Sequence, residues 1–251
     1  MACDGETMVG GMSTPPMSLS VVVPCFDEVR RFGASVEGLG AALAAMPLAA
    51  WEVLVVDDHS TDRTATIVEA FAVCNPQVRL THTQVGKGKG AAVRTGVLSA
   101  VNDAVLVVDA DLAGDLAAVP AMCELLAGAD AVLGSRLLPG AVVEPPRSRA
   151  RRGAAMVFRT MVRLITPLRV SDPQCGYKLF RREVVQREIA QLSTDGYAYE
   201  VELLMRLAGA GAVMVEVPVT WREGRDSKVR VTSDGLQMTR ELWAARKLGG
   251  S

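Results

Sequence analysis

Three short apolar runs, each followed by carboxylates, constrain this chain more than any other feature. Leu19–Pro24 (LSVVVP) leads to Asp27 and Glu28, Trp51–Val56 (WEVLVV) to Asp57 and Asp58, and Ala104–Val108 (AVLVV) to Asp109 and Asp111. Consecutive apolar positions in runs this short suit strands buried on both faces of a parallel sheet. Ser35–Ala45 and Thr61–Val73 carry helical patterning between them. Alternating strand and helix signals predict βαβ units, hence an α/β fold with a mostly parallel central sheet flanked by helices. In open sheets of this kind ligands bind beyond the carboxyl ends of the strands, where this sequence puts its acids. Each acid also has a plainer reading, because Asp favours turns and helix N-caps; Ser60 or Asp58 is placed to cap the helix that follows.

Composition narrows the classes. A chain of 251 residues with 49% hydrophobic and 22% charged residues can bury a full core. A formal net charge of -1 argues against wholesale nucleic-acid binding. Cys3, Cys25, Cys74, Cys123 and Cys175 are scattered, without the close pairs of a zinc site, and their odd number points to a reducing, cytoplasmic compartment. Residues 1–17 lack the basic start and apolar run of a signal peptide and read as a disordered leader. No run approaches the roughly 20 apolar residues of a spanning helix, so a soluble or membrane-surface protein is expected.

Asp109-Ala110-Asp111 can address a divalent cation with hard oxygens, although a solvated turn would read the same. Asp57-Asp58-His59-Ser60-Thr61-Asp62 offers carboxylates for a nucleotide's base or ribose. Gly86-Lys87-Gly88-Lys89-Gly90, before a helical run, offers backbone N–H groups and positive charge to a nucleotide, or else is a flexible loop. Three prolines mark residues 139–149 as a loop. Residues 150–166 then read as a basic amphipathic helix, with Arg152, Arg159 and Arg163 on one face and Ala154, Phe158, Met161 and Ile165 on the other. That apolar face suits either a lipid boundary or the protein's own core. Asp172, before Pro173, is a candidate base or orienting group, or a turn residue. Glu200 and Glu202, in a helix-like stretch, are weaker candidates with solvated charge as the alternative.

Taken in order, these segments resemble glycosyltransferase family two, which has the GT-A fold, from about Ser18 to Lys247. VVVPCFDE is similar to the family's Pro-X-(Tyr/Phe)-Asn-Glu, with Asp27 where Asn is usual. VVDDHSTDRT is similar to its Asp-Asp-X-Ser-X-Asp-X-Thr, and GKGKGAAVRTG and DAD follow in order. GSR (134–136), DPQCGYKLF (172–180), YEVELL (199–204), VPVTW (217–221) and SKVR (227–230) resemble the polyprenyl-phosphate hexosyltransferase branch, most closely the dolichyl-phosphate β-glucosyltransferases.

The resemblance implies a Rossmann-like nucleotide-sugar domain over residues 18–251, with a donor half (18–115) and an acceptor half (116–251). It implies that Pro24, Asp27 or Glu28, Asp58, Lys89, Arg136 and Lys228 serve the donor site. Asp109 and Asp111 would serve the ribose and a Mg²⁺ or Mn²⁺ ion, with Asp111 holding the metal against the diphosphate and Asp172 acting near the acceptor. Mannosyl-transferring relatives often carry Gln where this chain has Ala113, which leaves water, diphosphate or Asp115 to complete the metal shell. The implied reaction is an inverting transfer of a hexose, from UDP-glucose first and GDP-mannose second, to a polyprenyl phosphate, at the membrane's cytoplasmic face. A phosphate acceptor, largely dianionic at neutral pH, needs cations more than a base. Arg136, Arg147, Arg149, Arg151, Arg152 and Lys228 supply them. A soluble family-two enzyme acting on a hydroxyl acceptor and a non-catalytic nucleotide-sugar-binding protein are the rivals. A sugar nucleotidyltransferase is disfavoured, because PCFDE stands where its glycine-rich loop would follow the first strand. Oligomeric state stays open, a homo-oligomer included.

Overall fold

The computed structural model describes residues 17–30, 32–145 and 149–222. The three apolar runs become strands β1 (Ser18–Cys25), β2 (Ala50–Asp57) and β4 (Ala104–Val108), with β3 (Val78–His82) between the last two. Helices α1 (Phe32–Ala44), α2 (Thr64–Cys74) and α3 (Lys89–Ser99) connect them. The second half adds α4 (Val119–Leu126), β5 (Ala131–Ser135), β6 (Val142–Glu144), α5 (Arg149–Ile165), β7 (Tyr177–Arg181), α6 (Arg182–Ile189), α7 (Tyr199–Gly209), β8 (Met214–Pro218) and β9 (Thr220–Arg222).

Seven of these strands form one sheet, in the order β3-β2-β1-β4-β7-β5-β8. Successive side chains of a strand point to opposite faces, so an all-apolar run feeds two cores. Val21, Val23, Val53 and Val55 join α1, α2 and α4 on one face, while Val22, Leu54 and Val56 join α3, α5, α6 and α7 on the other. The described part of the chain is thus a sheet between two helical layers.

Register decides where the site lies. Cys25 pairs with Asp57 and Asp57 with His82, so β1, β2 and β3 end level. Val22 pairs with Val107, which brings Asp109 to the same edge. β7 runs antiparallel to both β4 and β5, with Tyr177 opposite Val108. This reversal delivers the segment before β7, Asp172 to Gly176, to the edge where β4 and β5 finish. Pro24 lies buried near the end of β1, past Val22, the last residue that β1 pairs with β4. A missing N–H is tolerated there because only one neighbouring strand remains.

One sequence expectation is corrected and one alternative is decided. Neither Ser60 nor Asp58 caps α2, which starts at Thr64; instead Asp62 Oδ1 accepts the Thr64 N–H at 2.8 Å. On α5, Phe158 and Val162 are buried, and Met161 and Ile165 pack beside them in the core. Of the two readings of this apolar face, lipid boundary and core, the structure selects the core. Among the described side chains of α5, the large exposed apolar ones are Met156, Val157 and Leu164. Residues 1–16 of the expected leader lie outside the described residues, whereas Met17 packs on the core.

Candidate active site

The ends of β1 and β2 are tied together by their own polar groups. Asp27 adopts φ 50, a left-handed conformation that Asn and Asp tolerate better than most residues, so Asp fits where Asn is usual. Its Oδ1 accepts the Thr61 N–H at 2.7 Å and the Asp62 N–H at 3.2 Å, while its own N–H donates to Ser60 Oγ. The Glu28 N–H donates to Thr64 Oγ1 at 2.8 Å. The Asp27 carboxylate, expected to meet the nucleotide, thus braces the 60–64 turn. Glu28, the other member of that pair, is half-buried beside it.

The glycine-rich segment is held by hydrogen bonds rather than left as a flexible loop. The Gly88 N–H donates to Asp58 Oδ2 at 2.8 Å, and the N–H groups of Gly90 and Ala91 donate to the Asp195 carbonyl at 2.7 and 3.2 Å. The glycines answer instead to a strap formed by residues 193–196. Gly88 has φ 123, and a Cβ there would stand 2.6 Å from the Asp195 carbonyl oxygen. Arg94 holds the Asp195 carboxylate at 2.7 Å. Glu202 is buried and accepts the N–H groups of Ser193 and Thr194 at 3.0 and 2.9 Å. Burial works against its charge, but those hydrogen bonds and Arg206 outweigh it and keep its carboxyl below the usual range. It is a buried brace, which sets aside the alternative of a solvated charge.

Asp109 sits at the end of β4, facing Lys89. Lys89 Nζ is 2.7 Å from Asp109 Oδ1 and 3.5 Å from Glu200 Oε1, and Glu200 Oε1 is also 3.5 Å from Lys178 Nζ. Lys178 donates to the Cys175 carbonyl, and the Tyr199 hydroxyl donates to Glu200 Oε1 at 3.4 Å. Glu200, Lys178 and Tyr199 are all buried. Burial disfavours a charged Lys89, yet the Asp109 and Glu200 carboxylates prevail and raise its pKa. Gly176 lies against the Asp109 carboxylate, which a side chain at 176 would displace. Asp111 Oδ1 accepts the Ala113 N–H at 3.2 Å, in a turn where Leu112 has φ 46. Asp115 Oδ1 accepts the Ala117 N–H at 2.9 Å, capping the short helix that follows.

Asp172 and Arg136 form a closed pair. Arg136 Nε reaches Asp172 Oδ2 at 2.7 Å, one of its terminal nitrogens reaches Oδ1 at 2.8 Å, and its backbone N–H adds a third bond at 3.1 Å. The guanidinium also donates to the Gln174 carbonyl and lies 5.0 Å from the Trp221 ring centre. Burial would raise the Asp172 pKa, but Arg136 holds it below the usual carboxylate value. A carboxylate committed this way is a poor base, so of its two expected roles the geometry favours orientation. Lys228 and Arg147 lie outside the described residues, as do the side chains of Arg149 and Arg151.

Strand ends bearing Asp58 and Asp109, an Asp-X-Asp turn and a reversed strand delivering Asp172 therefore share one edge. Residues 20–188, well over half of the chain, match the family described as "Glycosyl transferase family 2". The chain belongs to that family. Among its family-2 relatives is glycosyltransferase AglD of Haloferax volcanii, 30% identical over 90% of this chain and 37% of that protein. The dolichyl-phosphate beta-glucosyltransferase of Homo sapiens is 30% identical over 94% of this chain and 77% of that protein. The undecaprenyl-phosphate mannosyltransferase of Micrococcus luteus is 29% identical over 85% of this chain and 88% of that protein. The chain thus spans little more than a third of the archaeal relative's length. Glucosyl-3-phosphoglycerate synthase from Mycobacterium tuberculosis, solved with UDP, shares the fold at a TM-score of 0.68 and 20% identity over 92% of this chain and 80% of that one.

Glu200, Lys178, Tyr199 and Asp195 are the residues that sequence reasoning undervalued or missed. Glu200 and Glu202 are interleaved with Val201, Leu203, Leu204 and Leu207, and that apolar company was the available signal for burial.

Proposed function

We propose that this chain transfers a hexose, in an inverting and metal-dependent reaction, from a nucleotide sugar to a polyprenyl phosphate. The observation that carries this reading is the shared edge, where Asp109 and Asp111 face the segment that holds Asp172 and Arg136. UDP-glucose is the favoured donor, with GDP-mannose second. Relatives named for glucosyl and mannosyl transfer to dolichyl or undecaprenyl phosphate support the reaction class. A structural neighbour solved with Mn²⁺ and UDP-glucose supports the donor and the metal.

The residues fit a dication held jointly with the donor. Among the described residues no group of three or more His, Cys, Asp or Glu could hold a metal alone. Two carboxylates with hard oxygens, Asp109 and Asp111, match an ion that takes its remaining ligands from phosphate and water, as Mg²⁺ commonly does. When bound, the ion would neutralise charge on the departing diphosphate. The chain's own residues do the rest. Asp58 and the strap at 193–196 fix the loop that presents Lys89, and Asp172 orients Arg136. A phosphate monoester has a second pKa of about 6 and arrives already ionised at neutral pH, so an ion-paired Asp172 is no handicap. A hydroxyl acceptor would need the base that Arg136 takes away, which disfavours the soluble rival.

The exposed Met156, Val157 and Leu164, alongside exposed Arg152 and Arg163, support peripheral contact with an anionic membrane surface, where such an acceptor resides. No described helix is long and apolar enough to cross a membrane. The test is transfer from radiolabelled UDP-glucose and GDP-mannose to a short polyprenyl phosphate, with Mg²⁺ or Mn²⁺ and with chelator. Metal-dependent labelling of the lipid with one donor, lost in Asp111→Ala, is the expected result. Donor hydrolysis without lipid labelling would keep the donor site and refute the acceptor.

A further inference from the structure

Lys89 has two carboxylates within reach, Asp109 at 2.7 Å and Glu200 at 3.5 Å. Any dication drawn to Asp109 competes with an ammonium already on its Oδ1. Lys89 is only 19% exposed, and an ammonium displaced into such a place without a partner is costly. Glu200 removes that cost. It is 4% exposed in the first turn of α7, where a carboxylate is favoured by the helix dipole. Lys178 Nζ and the Tyr199 hydroxyl stand on its Oε1 at 3.5 and 3.4 Å. The lysine stem is flexible enough to cover the shift from one carboxylate to the other.

We propose that Glu200 is a positioning residue that takes Lys89 from Asp109 when Asp109 engages a dication. The inference rests on the reading of Asp109 and Asp111 as the metal's protein ligands. In the resting site Lys89 faces both Asp109 and Glu200, so Glu200→Gln leaves Asp109 as its one carboxylate among these two. Lys89 then stays on Asp109 and blocks it. Lys89→Met removes the competitor.

Mn²⁺ affinity at saturating UDP, read from the electron paramagnetic resonance signal of free Mn²⁺, tests this without relying on turnover. Glu200→Gln is expected to weaken Mn²⁺ binding about tenfold, or about 1.4 kcal/mol. Adding Lys89→Met to it is expected to restore the affinity, since no Lys89 ammonium then competes for Asp109. Lys89→Met alone, which keeps Glu200 should the Gln variant fail to fold, is expected to bind Mn²⁺ more tightly than wild type. Unchanged affinity in Glu200→Gln, a double variant no better than the single one, or equal or weaker binding in Lys89→Met would each overturn the proposal. Wild type that binds no Mn²⁺, or Asp111→Ala that binds it as well as wild type, would sink the metal reading and the proposal together.

Discussion

Asp172 and Arg136 show how a residue's neighbours choose between the roles its chemistry allows. The pair is buried on both sides, with side-chain exposures of 9% and 11%. Neutralising one member of a buried pair leaves the other uncompensated, which typically costs about 3–5 kcal/mol. Asp172→Asn is therefore expected to lower the unfolding midpoint in urea markedly, and Asp172→Asn with Arg136→Met to recover much of the loss. The pH dependence has a definite sign. The folded-state pKa of Asp172 lies below its unfolded value of about 3.9, so its contribution is fully present above that value and fades as pH falls through the lower folded one. Wild type should lose stability more steeply than Asp172→Asn below about pH 4. Equal slopes in urea titrations across that range would refute the ion pair's share. Asp172 was legible from its motif as a site residue. Its partner's hold on it was not, because residues 36 positions apart meet only once β5 and β7 are paired.

At the scale of elements, α5 separates what periodicity shows from what it cannot. The spacing of its apolar residues marked a helix over 150–166, and the helix spans Arg149–Ile165. Which apolar stripe meets the core depends on what lies opposite, and that information sits in β5, β7 and α6, far away in sequence. Phe158 and Val162 turned inward, leaving Met156, Val157 and Leu164 at 57%, 63% and 81% exposure. Opposite substitutions separate the two stripes. Phe158→Ala should cost about 3–5 kcal/mol of stability and leave vesicle binding intact. Leu164→Ser with Val157→Ser should leave the melting temperature nearly unchanged and reduce co-sedimentation with phosphatidylglycerol-containing vesicles. Undiminished co-sedimentation of that double variant would remove α5 from the membrane face.

Across the whole molecule, the site is assembled from two halves of the chain by one reversed strand. β1, β2 and β4 were readable because each carries an apolar run that leads to acids, so local pattern and global position agree. β7 was not readable: YKLFR mixes Lys178 and Arg181 with apolar residues, and the buried Lys178 finds its partners in the Cys175 carbonyl and in Glu200 from α7. The same assembly predicts a linkage. A donor product bound across the edge should stabilise the fold by mass action, by about 2.7 kcal/mol at a hundredfold excess over its Kd. For a chain of this size that is a rise of about 5–10 °C in Tm. UDP with Mn²⁺ should give this rise, UDP with chelator a smaller one, and Asp111→Ala should lose the difference between them. If chelator makes no difference to the UDP-induced shift in wild type, the nucleotide binds without the ion, and Asp109 and Asp111 serve the ribose rather than a metal.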